Sequence, residues 1–439
     1  MAGLRLTDGT TTVTLTSSPW LGATYTPEAA EFGAETITET AVCVIEGSAA
    51  TIRAAVNAIE LLLHDAWQRD RVQNARLYVE YRPLDADSYF RSEVLGGSVQ
   101  WSSNPAKRRL SASTNTVELA ITWTRRNWWE GDEAELQLST SNAAAATGGR
   151  TIYNHDDSGT GHDNWVQIAA AQVTGDLPGA CRVQLANSVG SARSYRKLFL
   201  AVNAYSDPAN LTHMLEAESA SGGGTVTSDA NCSNSSRLDI APSSSTITLT
   251  WSLSAAQLQR TRGRWFRLLL RVNDHSGDLR VRPQVRDASG AYTLWSGDAV
   301  VLPSLYGGIF DLGSVPLPPG GYASAYGALT LALQFTGTSL TELDFVQLTP
   351  LDSFRYLECM GSVANGESVV DNGYEGLAYV LSGSAYLPLV APRGEPLMLF
   401  PGLTQRVIVL QQNLTGNSQA PIADTFSVRV WHRPRRRTI

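Results

Sequence analysis

Between Ser48 and Trp67 apolar residues recur with helical spacing, in a chain that otherwise reads as short strands and turns. Ile52, Val56, Ile59, Leu63 and Trp67 follow one another at steps of four, three, four and four. This builds one apolar stripe and leaves Arg53, Asn57, Glu60 and His64 off it. The spacing predicts a helix over 49–69. Ser48 suits its N-cap, because the hydroxyl can accept from a backbone N–H left orphaned in the first turn. A single helix on a background of strands sets the fold class as mainly β and points away from enzymatic chemistry.

The chain has 439 residues, room for about two to four domains that each bury a core. Hydrophobic residues make up 43% and charged residues 17%. Such a surface is built from Thr, Ser, Asn and Gly more than from ion pairs, as in many β-sandwich proteins. The formal net charge of -7 supplies no global basic field, so sequence-specific nucleic-acid binding is not expected. Cys43, Cys181, Cys232 and Cys359 form no C-x-x-C pair, so buried free thiols are expected in place of a zinc site. Residues 1–16 lack a basic segment followed by an apolar one, and no run of about eighteen apolar residues occurs. The expectation is a chain made in the cytoplasm with no signal peptide and no membrane span.

From Leu4 to about Gln137 the order reads strand, turn, strand, helix, strand, hairpin. Ala75 to Arg82 alternates, as does Thr116 to Arg125 with Val117, Leu119, Ile121 and Trp123 on one face. These strands would form an N-terminal β-sandwich over the helix, domain 1–137. Leu138 to Gly149 is small, polar and non-periodic, the composition of a linker. Residues 150–350 hold eight or nine candidate strands separated by Gly, Asp, Asn, Pro and Ser clusters, which suits a central two-sheet sandwich of the jelly-roll kind. Residues 351–439 read as a small C-terminal β unit that completes a sheet of the first domain or packs on the sandwich.

The loop Tyr153 to Trp165 gathers His155, Asp156, Asp157, His162, Asp163 and Asn164 around glycines. Asp156, Asp157 and Asp163 are the candidate calcium ligands, since hard oxygens on a tight loop suit that ion. The order of an EF-hand loop is absent, and an Asx-turn-rich strand start, with side chains bonding local backbone, accounts for the same residues. No other cofactor is expected. Glu216 with Glu218, or Asp274 with Asp278, has the residue type of a glycosidase pair, but alternate spacing on a strand is also what any exposed face gives. No nucleophile-elbow, zincin, P-loop or dinucleotide motif stands in a strand-to-helix context, so no catalytic residue is assigned. Trp295 and Tyr306, near predicted loops, are candidate platforms for a sugar ring; Trp251 and Trp265 are read as core. Arg125 and Arg126 after one strand, and Arg433 and Arg435 after another, read as edge guards or contacts between copies.

The first domain's order resembles the N-terminal domain of distal tail proteins of long-tailed bacteriophages, the baseplate hub ring proteins. The resemblance rests on the helix after VCVIEG, on ARLYVEYRP, on FRSEVLGGSV at Phe90 to Val99, and on VELAITWTRRNWWEG at Val117 to Gly131. IYNHDDSGTGHDNWVQI, VTGDLPGACRVQLAN and LDFVQLTPLD are similar to a galectin- or carbohydrate-binding-like sandwich found in phage tail proteins, and GEPLMLFPGLTQRVIVL to the end of the same architecture. The resemblance implies a structural virion protein that forms a ring, a hexamer, joining tail tube to baseplate hub or tail fibre proteins, with the sandwich projecting outward. A host cell-surface glycan is the further partner it suggests. The alternatives are a carbohydrate-binding adhesin module and a tail-associated glycan hydrolase.

Overall fold

The computed structural model describes residues 3–29, 33–72, 76–84, 88–101, 115–156, 161–188, 190–205, 214–230, 232–242, 245–254, 265–275, 277–302, 307–317, 328–337, 340–413 and 426–439. Within them the protein is mainly β, in antiparallel sheets, with α1, Ala49–Val72, as its α-helix. The chain divides into two compact units: Met1–Ala134 with Thr174–Pro178 and Arg433–Ile439, and Glu135–Val173 with Gly179–His432.

The first unit is one curled sheet. Its strands are β1 (Gly3–Thr7), β2 (Thr12–Thr14), β3 (Trp20–Thr24), β4 (Thr36–Gly47), β5 (Leu77–Arg82), β6 (Phe90–Trp101), β7 (Asn115–Arg126) and β8 (Trp129–Glu130). The order is β2-β1-β5-β6-β7-β4-β3, with the short strand Arg435–Arg436 paired to β8. The two end strands, β2 and β3, are consecutive in sequence. Leu15 and Trp20, which flank the turn between them, are both buried in the common core, so the sheet folds back on itself.

Helix α1 lies on the inner face. Ser48 Oγ accepts from the Thr51 N–H at 3.1 Å, the N-cap its position predicts. Ile52, Val56, Ile59 and Leu63 are buried, each contributing about 1.5–3 kcal/mol of apolar burial. Trp67 departs from the expected stripe and is 62% exposed. Ala66 takes the inward place instead, and one residue further rotates about 100° around the helix. The close fit needs Gly97: a Cβ there would lie 2.3 Å from the Thr122 carbonyl oxygen and 3.0 Å from Leu63.

The second unit holds two sandwiches, one inserted in the other. In the parent sandwich one sheet runs Arg150–Ile152, Phe426–His432, Gly179–Asn187, Ser368–Asn372, Leu377–Ser382 and Ala385–Leu387. The facing sheet runs Trp165–Ile168, Thr404–Asn413, Arg193–Tyr205, Phe354–Cys359 and Val390–Gly394. Val183, Leu200, Leu357, Val407 and Val428 fill the space between them. In the inserted sandwich the sheet Thr225–Ser228, Ser236–Ile240, Thr341–Pro350, Trp265–His275, Gly308–Pro316 faces Ile247–Leu253, Leu329–Gly337, Leu279–Asp287, Thr293–Ser296, around Trp251, Phe266, Phe335 and Val346. The insertion leaves and returns through hydrogen-bonded neighbours, with Ala201 opposite Phe354. Phe199, Leu269, Phe345, Phe354 and Ile408 join the two sandwiches.

This pairing differs from the boundaries read along the sequence. Residues 150–173 and 179–205 belong with 354–432, so the inserted sandwich spans 214–350 and most of 351–439 packs within the parent sandwich, while Thr174–Pro178 and Arg433–Ile439 join the first unit. Alternation marks a strand but not its partner, and here Cys181 pairs with His432 and Asn187 with Phe426, roughly 240 to 250 residues apart. Nor is 138–149 an open linker. Leu136 and Leu138 are buried in the parent core, and Leu138 exchanges backbone hydrogen bonds with Ala146 at 2.9 and 3.1 Å. Among the described residues no helix is long and apolar enough to cross a membrane.

Candidate functional site

Alternation along β4 and β7 turns every second residue outward, and on the first unit this builds a face whose middle, Thr38 to Val42 opposite Ala120 to Thr124, is uncharged, with Arg126 and Glu118 toward its ends. Thr38 meets Thr124 at 3.0 Å and Thr40 meets Thr122 at 2.9 Å through their hydroxyls. Val42, 41% exposed, lies opposite Ala120, and Ser98 and Gln100 extend the strip onto β6. The face is small-side-chained and free of charge at its centre, while the opposite face carries the helix.

The arginines expected at contacts between copies are placed otherwise. Arg125 is buried: Nε and Nη2 donate to the two carboxylate oxygens of Glu39, each at 2.6 Å, and its guanidinium stacks 4.3 Å from the Trp129 ring centroid. Tyr25 donates to the same carboxylate at 2.5 Å. This corrects the reading of Arg125 as an edge guard, because it shares parity with Val117, Leu119, Ile121 and Trp123 and must point inward with them. Arg126 points outward and pairs with Glu93 at 3.4 Å, where Arg69 and Arg76 also converge. Arg435 donates to Glu130 at 3.0 Å and stacks on Trp128. Arg433 lines a polar cleft of about 430 Å³ with Arg5, Glu80, Tyr89, Arg91 and Asp132.

In the second unit, Asp156 accepts from Trp165 Nε1 at 3.1 Å. Asp163 accepts from the backbone N–H and hydroxyl of Ser141, at 2.8 and 2.7 Å. Burial pushes the Asp163 carboxyl above its ordinary range. Asp157 lies outside the described residues. Among those described, no group of three or more His, Cys, Asp or Glu side chains is arranged to hold a metal ion.

Trp295 is half-buried against the inserted core and meets Trp265 edge to face, ring centroids 6.4 Å apart. Tyr306 lies outside the described residues. Trp251 is buried and donates Nε1 to the Glu216 carbonyl at 2.8 Å, but Trp265, read as core, is 48% exposed. It shares an outward parity with Arg267, which pairs with Asp311. The sequence reading missed the buried pairs Arg271–Asp344, at 2.6 Å, and Arg355–Asp371, at 3.0 Å. Burial pushes each carboxyl up to about 6 against the pull of its arginine. The only signal available was a charged residue at an inward parity inside an apolar strand.

No protein-family model matches the sequence, and no curated protein matches it. Solved structures give distant likenesses. An isomalto-dextranase of Arthrobacter globiformis T6, complexed with panose, matches at 15% identity and a TM-score of 0.25 over 42% of this chain, which spans about a third (34%) of that enzyme. The activated phage P2 baseplate matches at 9% identity and a TM-score of 0.23, over 94% of this chain and 100% of that one. An exo-beta-1,3-galactanase of Phanerochaete chrysosporium matches at 10% identity and a TM-score of 0.22, over 72% and 82%. Superposition this loose carries no argument about function.

Proposed function

We propose that this chain is a structural subunit of a phage tail tip or baseplate, and that its first unit assembles into a six-membered ring joining tail tube to baseplate or fibre proteins. The observation that carries the reading is the uncharged threonine face of β4 and β7. Charge is depleted at the centre of lasting protein contacts, and a heterologous contact that closes on itself gives a ring. The sequence resemblance of the helix and its flanking strands to distal tail proteins supplies the biological setting. In this reading the chain works without catalysis, in the virion, and the inserted sandwich is an outward module. Light scattering coupled to size-exclusion chromatography tests it: rings are expected for the native chain, and monomers for Thr40→Glu/Thr122→Glu with an unchanged circular dichroism spectrum. A native chain that stays monomeric, alone and with tail proteins, contradicts the reading.

A second reading rests on the exposed Trp265 beside Trp295 and the Arg267–Asp311 pair, an indole with polar groups on its flank, as glycan recognition requires. It makes the inserted sandwich an adsorption module for host glycans, compatible with a ring. A glycan array on the full chain, compared with Trp265→Ala, separates this module from a purely structural one.

A further inference from the structure

The inserted sandwich packs one of its sheets on the parent: Leu269, Ile309 and Phe345 turn outward from Trp265–His275, Gly308–Pro316 and Thr341–Pro350 to meet Phe199, Ile408 and Leu410. The outer face of its other sheet, Ile247–Leu253, Leu329–Gly337, Leu279–Asp287 and Thr293–Ser296, therefore points away from the parent. Leu279, Val281 and Val285 are buried in the core between the sheets, so alternation turns Arg280, Arg282, Gln284 and Arg286 outward. Arg280 and Arg282 are exposed, and neither has an ion pair among the described residues. Arg286 is fixed in place: its Nε and Nη2 donate to Gln284 Oε1 at 3.1 and 2.7 Å, while Gln284 Nε2 donates to Gln334 Oε1 at 3.2 Å.

The neighbours of this row are small and neutral. Thr336 lies opposite Arg280, Gln334 opposite Arg282 and Thr330 opposite Arg286, and Thr248, Thr250 and Ser252 follow on the next strand. Asp287 ends its strand at an inward parity, where Ser289 and the Tyr292 N–H donate to it, and Asp278 and Asp298 lie outside the strands. The outward positions of these four strands thus hold three positive charges and no negative one, in a chain whose net charge is -7. Alternate residues of a strand are about 6.6 Å apart, so Arg280 and Arg282 present two adjacent guanidinium forks, each able to grip a carboxylate bidentately. The Thr and Gln side chains beside them suit ring hydroxyls. No outward position of these strands on the three central strands is aromatic, so nothing there stacks a nucleobase. We infer that this face binds a linear acidic polysaccharide with carboxylates on its sugar rings, held by Arg280 and Arg282. The inference rests on the adsorption reading of the inserted sandwich, at a face separate from Trp265.

Titration calorimetry of the full chain with polygalacturonate, between about 50 and 200 mM salt, tests this. Binding is expected at the lower salt and should weaken several-fold at the higher, since exposed charges are screened. Methyl-esterified polygalacturonate, the same backbone without the charge, should not bind. Arg280→Gln/Arg282→Gln, with an unchanged circular dichroism spectrum, should lose affinity by about tenfold or more. Arg280→Lys/Arg282→Lys should lose less, because the charge survives without the fork, and Trp265→Ala should bind as the native chain does. No binding at the lower salt, equal binding of the esterified polymer, or native affinity in Arg280→Gln/Arg282→Gln would each overturn the inference. Tighter binding of an oligothymidylate of equal charge would overturn it too, by making the face a nucleic-acid surface. If neutral glycans bind through Trp265 while polygalacturonate is ignored, the adsorption reading stands and this inference falls. If polygalacturonate binds through the arginines and Trp265→Ala changes nothing, the inference stands and the Trp265 platform falls.

Discussion

At the level of single residues the interior is organised by burial of groups that ordinarily carry charge or react. Burial pushes the Cys43 and Cys359 thiols up to about 12, and Cys181 and Cys232 rise as well for the same reason. At pH 8 the thiolate of Cys43 or Cys359 is thus suppressed about a thousandfold. A thiol-reactive chromophore should label none of the four at pH 8 in the native chain and all four in guanidinium; rapid labelling of the native chain would contradict their placement. Glu39 and Arg125 form a bidentate pair with both side chains 1% exposed. Glu39→Gln leaves a buried guanidinium charge unmatched and should cost about 3–5 kcal/mol in urea unfolding. For Asp371 the folded carboxyl is raised to about 6, so its contribution is present below the ordinary carboxylate range and lost as pH rises through about 6. Asp371→Asn should remove that decline from the stability profile. Arg125 shows what was legible at this scale: its inward parity was readable from Trp123, yet a run of two arginines invites an exposed reading.

Elements were the most legible level where a period was long. Four of the five stripe positions of α1 are inward, and the N-cap is the predicted serine, because both follow from local geometry. Trp67 was not, since a stripe built on steps of four drifts from the helix axis and only the sheet beneath decides which neighbour turns in. Ser48→Ala should destabilise the protein by about 1 kcal/mol. Gly97→Ala should cost more, because its Cβ would strike the Thr122 carbonyl, a backbone atom that cannot swing aside. Thermal melts of both variants, with Gly97→Ala the lower, check the packing of α1 on β6 and β7.

For the whole molecule, strand existence was readable and strand partnership was not. Cys181 pairs with His432, and Lys197 with Glu358, pairings that alternation along the chain does not encode. The nesting carries its own expectation. Because Ala201 and Phe354 are neighbours in one sheet, replacing 206–353 by a short glycine-containing turn should leave the parent sandwich folded, with the circular dichroism of a β protein and a cooperative melt. The candidate site follows the same pattern: Arg433 and Arg435 drew attention by composition, whereas the threonine face of β4 and β7 is visible only once those strands are paired. That face bears the central claim, that the first unit joins copies of itself. Electron micrographs of the purified chain test it most directly: closed rings of six that vanish with Thr40→Glu/Thr122→Glu are predicted, and rings unaffected by those two substitutions would contradict it.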